Sequence, residues 1–309
     1  MRTPESPSRR QIDFMRYRRL TTGISVALCV LSILLLIVRG LNYGLDFTGG
    51  TLVEVTFSRD VSVNDVRREL ATRGFVNAAV QQSGSERELM VRIPARTGQD
   101  SSRVGDQIVG ALNEEHPGVR LERADYVGPA VGEELRESGI LAMLMALIVT
   151  GIYIAWRFTG KFAIAATVAL AHDVIIAVGA FALFQWRFDL PSLAAILTII
   201  GYSLNDTIVI CDRIRENLRA MRKASVIDAI NRSLNQTLER TLIMSATTLA
   251  VLLALLFFGG EELRGFSAAL TVGVVAGTYS SIYVAAAYLV YARLSAADLV
   301  VEIDHEERP

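Results

Sequence analysis

Six stretches of the sequence stay apolar for close to 20 residues, and this limits the fold more than any other feature. A bilayer core about 30 Å thick is crossed by roughly 20 residues of helix, and in lipid only helices or closed barrels satisfy every backbone polar group. Residues 20–38, 140–156, 162–184, 192–211, 241–258 and 268–290 meet that length. The fold class expected is therefore an α-helical polytopic membrane protein with six transmembrane helices. Composition agrees: 51% of the 309 residues are hydrophobic and 20% charged, with a mean hydropathy of +0.37. The 31 Lys+Arg nearly balance the 32 Asp+Glu, so a nucleic-acid partner is not expected. Cys29 and Cys211 fall in or beside apolar stretches, and His116, His172 and His305 lie in separate regions. Neither set builds a disulfide framework or a metal site, and no metal or cofactor is expected.

Basic residues orient the spans. Six Lys+Arg precede the first span, two lie in 157–161, seven in 212–240 and two in the tail, against one in 185–191 and one in 259–267. The positive-inside rule places residues 1–19 and 291–309 in the cytoplasm. The basic start, with Arg9, Arg10, Arg16, Arg18 and Arg19, resembles a signal peptide, but the apolar run is too long and no A-x-A site follows, so the first span reads as an anchor. Residues 39–139 then lie outside, in the periplasm of a bacterium. Their pattern reads as strand Thr51–Phe57, a helix capped by Ser62 and ending near Gly74, strands Asn77–Gln82 and Glu88–Ile93 around Gly84, a helix Ser101–Glu115 stopped by Pro117, and a strand Val119–Val127. That βαββαβ order predicts an α+β ferredoxin-like domain. In the 212–240 loop, Ile227, Ile230, Leu234 and Leu238 share one helical face among basic residues, which predicts an interfacial helix lying on the membrane.

Ionisable residues inside a span cost roughly 2.5–3.5 kcal/mol on insertion scales, so each asks for a reason. The third span carries His172 and Asp173, and the fourth carries Asn205 and Asp206. Thr198, Tyr202, Asn205 and Asp206 recur at three- and four-residue spacing, which predicts one polar stripe. Arg240, at the entry to the fifth span, is within side-chain reach of the level of Asp206. A carboxylate between desolvation, which disfavours its charge, and an arginine, which favours it, can change protonation when either influence moves. These five residues form the expected proton relay, with helix-to-helix polar packing as the structural alternative. Gly273, Gly277, Ser281 and Ala285 repeat at intervals of four in the sixth span, a close-packing face.

Several runs resemble the SecD/SecF family of protein-export membrane proteins. They are Tyr43-Gly44-Leu45-Asp46-Phe47-Thr48-Gly49-Gly50 after the first span, Ala171-His172-Asp173-Val174, the run from Gly201 to Asn217, and Leu238-Glu239-Arg240-Thr241-Leu242. The one departure is Cys211, where the family commonly has an aromatic residue. The resemblance implies an RND-type half, completed by a SecD partner into twelve helices. It also implies an accessory role beside the SecYEG channel, with YajC and SecA as further partners. The proton-motive force would there promote movement of the translocating preprotein after the ATP-driven SecA step, with protons and membrane lipids as the other ligands. It assigns the proton-responsive role to Asp206 and the basic partner role to Arg240. Two rivals remain. An intramembrane aspartyl protease would use Asp173 and Asp206 but lacks the Gly-x-Gly-Asp signature. An RND-type proton-driven exporter of lipids or small amphiphiles would share the fold.

Overall fold

The computed structural model describes residues 11–83, 85–94, 103–158, 160–221, 225–295 and 298. Arg9, Arg10, Gly84, Ser101, His305 and most of the 291–309 tail lie outside them. A short 3-10 turn, Phe14–Tyr17, leads into α1 (Arg18–Arg39), followed by β1 (Asn42–Tyr43) and α2 (Leu45–Thr48). The inserted domain contains β2 (Gly50–Thr56), α3 (Val63–Thr72), β3 (Ala79–Gln82), β4 (Glu88–Ile93), α4 (Val104–Glu115) and β5 (Arg120–Val127). Then come α5 (Pro129–Arg157), α6 (Lys161–Phe184), β6 (Arg187–Phe188), α7 (Leu190–Ala220), α8 (Val226–Phe258) and α9 (Gly260–Ser280). A π turn, Ser281–Ala285, joins α9 to α10 (Ala286–Tyr291). Six helical segments among the described residues are long and apolar enough to cross a membrane.

The domain has a four-stranded antiparallel sheet in the order β3-β4-β2-β5. With its two helices this is the split βαβ arrangement expected from the pattern. Period-two alternation in β2 sends Val53 and Val55 to one face, where Val91 of β4, Leu70 of α3 and Ile108 of α4 close the core. Ser62 takes the N-cap position of α3, yet its side chain makes no capping bond.

Burial sorts the spans into two groups. In α6, α7 and the α9–α10 segment 56% of the apolar window is buried, against 11–17% in α1, α5 and α8. Centre and periphery follow from side-chain size, since small residues let backbones approach. A Cβ on Gly273 of α9 would overlap the side chain of Ile199 of α7, and one on Gly179 of α6 would overlap Ser32 of α1.

Three expectations need correction. First, the helix predicted on the membrane surface in 212–240 does not exist as a separate element. α7 continues to Ala220, and α8 runs unbroken from Val226 to Phe258. No Gly or Pro interrupts that stretch, and the apolar face turns inward: Ile230 and Leu234 are buried with Ile214 and Leu218 of α7. Asn217 Nδ2 donates to Ser233 Oγ (2.7 Å) and Gln236 Oε1 (2.9 Å) between the two helices. The N-terminal segment packs on the same hairpin, where Met15 N donates to Asn231 Oδ1 (3.1 Å) and Asn235 Nδ2 to Ile12 O (2.8 Å). Second, the helix expected at 140–156 begins at Pro129, a favoured first helical position, so its first turns lie in the polar stretch before the apolar run. Third, the segment expected as 268–290 starts at Gly260 and is interrupted by the π turn.

Gly273→Val is expected to overpack the α7–α9 contact and destabilise the chain by about 1–3 kcal/mol. Thermal unfolding in detergent should show that loss, and Ile199→Ala in the same chain should recover part of it, because the two side chains compete for one space.

Candidate functional site

Asp173, at the middle of α6, has no exposed surface. His172 Nδ1 donates to its Oδ1 across 2.9 Å, Ser280 Oγ at the end of α9 donates to Oδ2 across 2.7 Å, and Ser203 Oγ of α7 donates to the same oxygen. Gly277 packs beside this group, where a Cβ would meet Ser203 Cβ at 3.3 Å and only touch Oδ2 at 3.5 Å. The His172 ring is buried against Tyr279, with centroids 6.2 Å apart, and its Nε2 has no hydrogen-bond partner among the described residues. Tyr279 Oη donates to Thr21 O of α1 (2.8 Å). One carboxylate thus draws hydroxyls from two other helices, with a fourth helix attached through tyrosine.

Asp206 lies three residues beyond Ser203 on α7 and is 4% exposed. Its surroundings differ. Oδ2 is buried and faces the Thr241 hydroxyl of α8, which interacts with it short of well-formed hydrogen-bond geometry, and among the described residues neither group has another partner. Arg240, the preceding residue, acts on Asp206 through its charge, yet forms no direct ion pair with it in this structure and is itself exposed. A buried carboxyl with one hydroxyl facing it and an exposed cation at the next position lacks the full set of donors that surrounds Asp173.

The single polar stripe expected on the fourth span is split. Asp206 points into the bundle, whereas Thr198 and Asn205 are exposed. Adjacent residues project about 100° apart on a helix of 3.6 residues per turn, so Asn205 and Asp206 face different surroundings. The structure therefore does not bring Asn205 to either aspartate. Tyr202 Oη, between the two faces, donates to Thr248 Oγ1 of α8 (3.3 Å). The small residues of the sixth span are inward: Gly273 and Gly277 meet α7, and Ser281 and Ala285 are buried.

The run from Gly44 to Gly50 ties the domain to the bundle. Gly44 N donates to Phe188 O (2.7 Å), and a Cβ on Gly44 would come within 2.9 Å of Asp189 Cβ. Leu45 and Phe47 of α2 are buried, the latter stacked on Phe188 with centroids 5.8 Å apart. Asp46 Oδ2 accepts from Leu190 N (2.9 Å), the first amide of α7, where acceptors satisfy otherwise orphaned donors. Gly49 has φ +65° and ψ 172°, a region open to glycine almost alone, and its missing Cβ would lie 2.9 Å from Pro129 Cα at the start of α5. Gly50, also at positive φ, opens β2. From β4, Arg92 Nη1 donates to Tyr43 O (2.9 Å).

Comparison with known proteins supplies the family. The model of the SecD/SecF C-terminal region, a protein export membrane protein, matches residues 108–295. The SecD/SecF GG motif matches residues 34–61. This chain belongs to the SecD/SecF family. It is 46% identical over 94% of its length to the protein translocase subunit SecF of Pseudomonas aeruginosa, covering 94% of that protein. To that of Vibrio alginolyticus it is 47% identical over 89% of its length, covering 88%. The solved SecDF of Thermus thermophilus, described as a translocon-associated membrane protein, superposes with a TM-score of 0.84 at 39% identity over 95% of this chain. A SecDF in a super-membrane-facing form gives 0.69 at 38% identity over the same share. The chain spans 40% of each solved SecDF chain. Its sequence family and the inserted α+β domain fit a multi-pass inner-membrane protein.

Sequence reasoning missed Ser203, Ser280 and Thr241, the hydroxyls around the two aspartates. The signal available was their spacing: Ser203 lies one helical turn before Asp206, and Ser280 three residues after Gly277. Gly49→Ala should destabilise the junction by about 1–3 kcal/mol through backbone strain and through its close approach to Pro129. Limited proteolysis of the full chain should then show faster cutting between α2 and β2, while Gly74→Ala, which also has positive φ but open space around it, should change less.

Proposed function

We propose that this chain is the SecF half of a SecD–SecF assembly in the bacterial inner membrane. In this reading both termini are cytoplasmic and residues 39–139 form the periplasmic domain. The assembly uses the proton-motive force to promote translocation of a preprotein through SecYEG, after the ATP-driven SecA step and with YajC as a further neighbour. The observation that carries the reading is Asp206: a buried carboxylate with an unpartnered oxygen, beside Thr241 and in the field of Arg240. It sits on the helix whose first amide is held by Asp46 of the domain-linking run.

Proton binding does work only where two conformations bind the proton unequally. Neutralising Asp206 removes its attraction for Arg240, which frees α8 to shift against α7. Because α7 begins at the Asp46 contact, its displacement is carried to the domain. One charge crossing 100 mV supplies about 2.3 kcal/mol, so a few protons per cycle suffice to bias such a movement. The two solved SecDF forms support a machine with more than one arrangement, since equal coverage and near-equal identity give TM-scores of 0.84 and 0.69. Asp173 and His172 serve in this scheme as the fixed polar centre against which α7 moves. Thr198 and Asn205, exposed on α7, form the face on which SecD packs. The chemistry is movement rather than catalysis.

The test is export of a secreted reporter into inverted membrane vesicles with ATP present throughout and the proton gradient on or off. Asp206→Asn is expected to abolish the gradient-dependent part of export and spare the ATP-driven part. An unchanged gradient response would reduce Asp206 to helix packing.

A further inference from the structure

Where the small parallel β1–β6 sheet meets the start of α9, a cavity of about 480 Å³ opens beside the inserted domain. Its polar side presents Gln185, Trp186, Arg187 and Arg264, and its apolar side presents Leu256 of α8 and Val272 of α9. Arg187 is half-buried. Among the described residues, its guanidinium donates to the thioether sulfur of Met90 (2.9 Å) and to no carboxylate. Sulfur is a weak acceptor and does not neutralise the charge.

The neighbours deepen the positive field. Arg92, with its donors already given to Tyr43 O, Gly44 O and Thr48 Oγ1, is pulled below its ordinary pKa first by burial and then by the charge of Arg187. Asp189, the carboxylate in the lining, turns its Oδ1 to Ser192, accepting from Ser192 N (2.9 Å) and Ser192 Oγ (2.6 Å), and among the described residues forms no ion pair with Arg187.

The level of the cavity is set by aromatic residues. Trp186 stacks on Phe184 with centroids 4.7 Å apart, and Phe257 and Phe258 at the end of α8 are 74% and 88% exposed. Such rings gather where hydrocarbon meets headgroups. One turn deeper on the two wall helices, Leu253 and Val275 are exposed. An anion is called for at the roof, and apolar chains along the wall. A free anion would leave the lower wall uncovered, and an acidic polypeptide segment would supply a carboxylate without the chains.

We propose that this cavity binds an anionic phospholipid, its phosphate on Arg187 and its acyl chains along the outward faces of α8 and α9. The site is independent of the proton scheme above, and its test has a separate readout. The full chain in detergent is titrated with phosphatidylglycerol and with phosphatidylcholine of the same acyl chains, and bound lipid is counted by native mass spectrometry. Phosphatidylglycerol should bind about tenfold more tightly, as expected for a charge-assisted phosphate contact. Arg187→Gln should remove that preference, while Arg136→Gln, an exposed cation elsewhere, should keep it. Val272→Trp, which blocks the chain path without altering a charge, should also weaken binding and guards against misfolding of the Arg187 variant. Inorganic phosphate and an acidic peptide should compete poorly. Equal binding of the two lipids, an unchanged Arg187→Gln, or displacement of phosphatidylglycerol by inorganic phosphate or by the peptide at equal concentration would overturn the proposal.

Discussion

A carboxylate with no exposed surface, placed halfway along an apolar helix, is the constraint on which the rest of the bundle depends. Taking an isolated charge out of water costs many kcal/mol, and breaking a buried set by removing one partner costs about 3–5 kcal/mol. Asp173 meets this with His172 from its own helix, Ser203 from α7 and Ser280 from α9. Those donors fix the rotation and height of α7 and α9 relative to α6. Gly273, where a Cβ would overlap Ile199, supplies the close approach of α9 to α7 that accompanies these hydrogen bonds. With the centre ordered in this way, α1, α5 and α8 can keep most of their surface outward.

Asp206 gains its meaning from contrast with Asp173. Both are buried aspartates, Asp173 reaching α7 through Ser203 and Asp206 standing on α7 itself. Asp173 has its donors in place, whereas among the described residues Asp206 Oδ2 has only the Thr241 hydroxyl facing it, short of good hydrogen-bond geometry. The first arrangement ties three helices to one carboxylate. The second leaves an oxygen available, with a hydroxyl on α8 and an exposed arginine as the groups that respond. α7 thus meets a closed polar centre at Ser203, where Asp173 of α6 has its donors, and carries an incompletely satisfied one three residues on at Asp206.

The parts of this structure legible from sequence are those set by local periodicity. Runs of about 20 apolar residues located the spans, and alternation in Val53–Val55 and Leu89–Ile93 located strands of a sheet whose order is the one a βαββαβ pattern implies. Helix ends were less legible, because apolarity reports where lipid is and not where helical hydrogen bonding stops. Residues 226–240 show this: their amphipathic face is real, but it packs on α7 as part of the continuous α8. Asn205 shows the related limit, that adjacent polar residues on a helix look outward and inward by turns. The clamp made by Gly44, Asp46 and Gly49 was visible as a motif, while its partners Leu190, Phe188 and Pro129 are brought in from distant parts of the chain and could be found only in three dimensions.

The unbroken length of α7 carries a mechanical consequence. Its 31 residues rise roughly 46 Å at 1.5 Å each, well beyond a hydrocarbon core of about 30 Å. It is a stiff rod, fastened at its first amide to the domain run and braced past its other end of the membrane by the α8 hairpin, with Asp206 along its shaft. A rod gripped near both ends cannot tilt at one without loading the other, so under the proposed scheme a change beside Asp206 is felt at the domain run and at the α8 hairpin together.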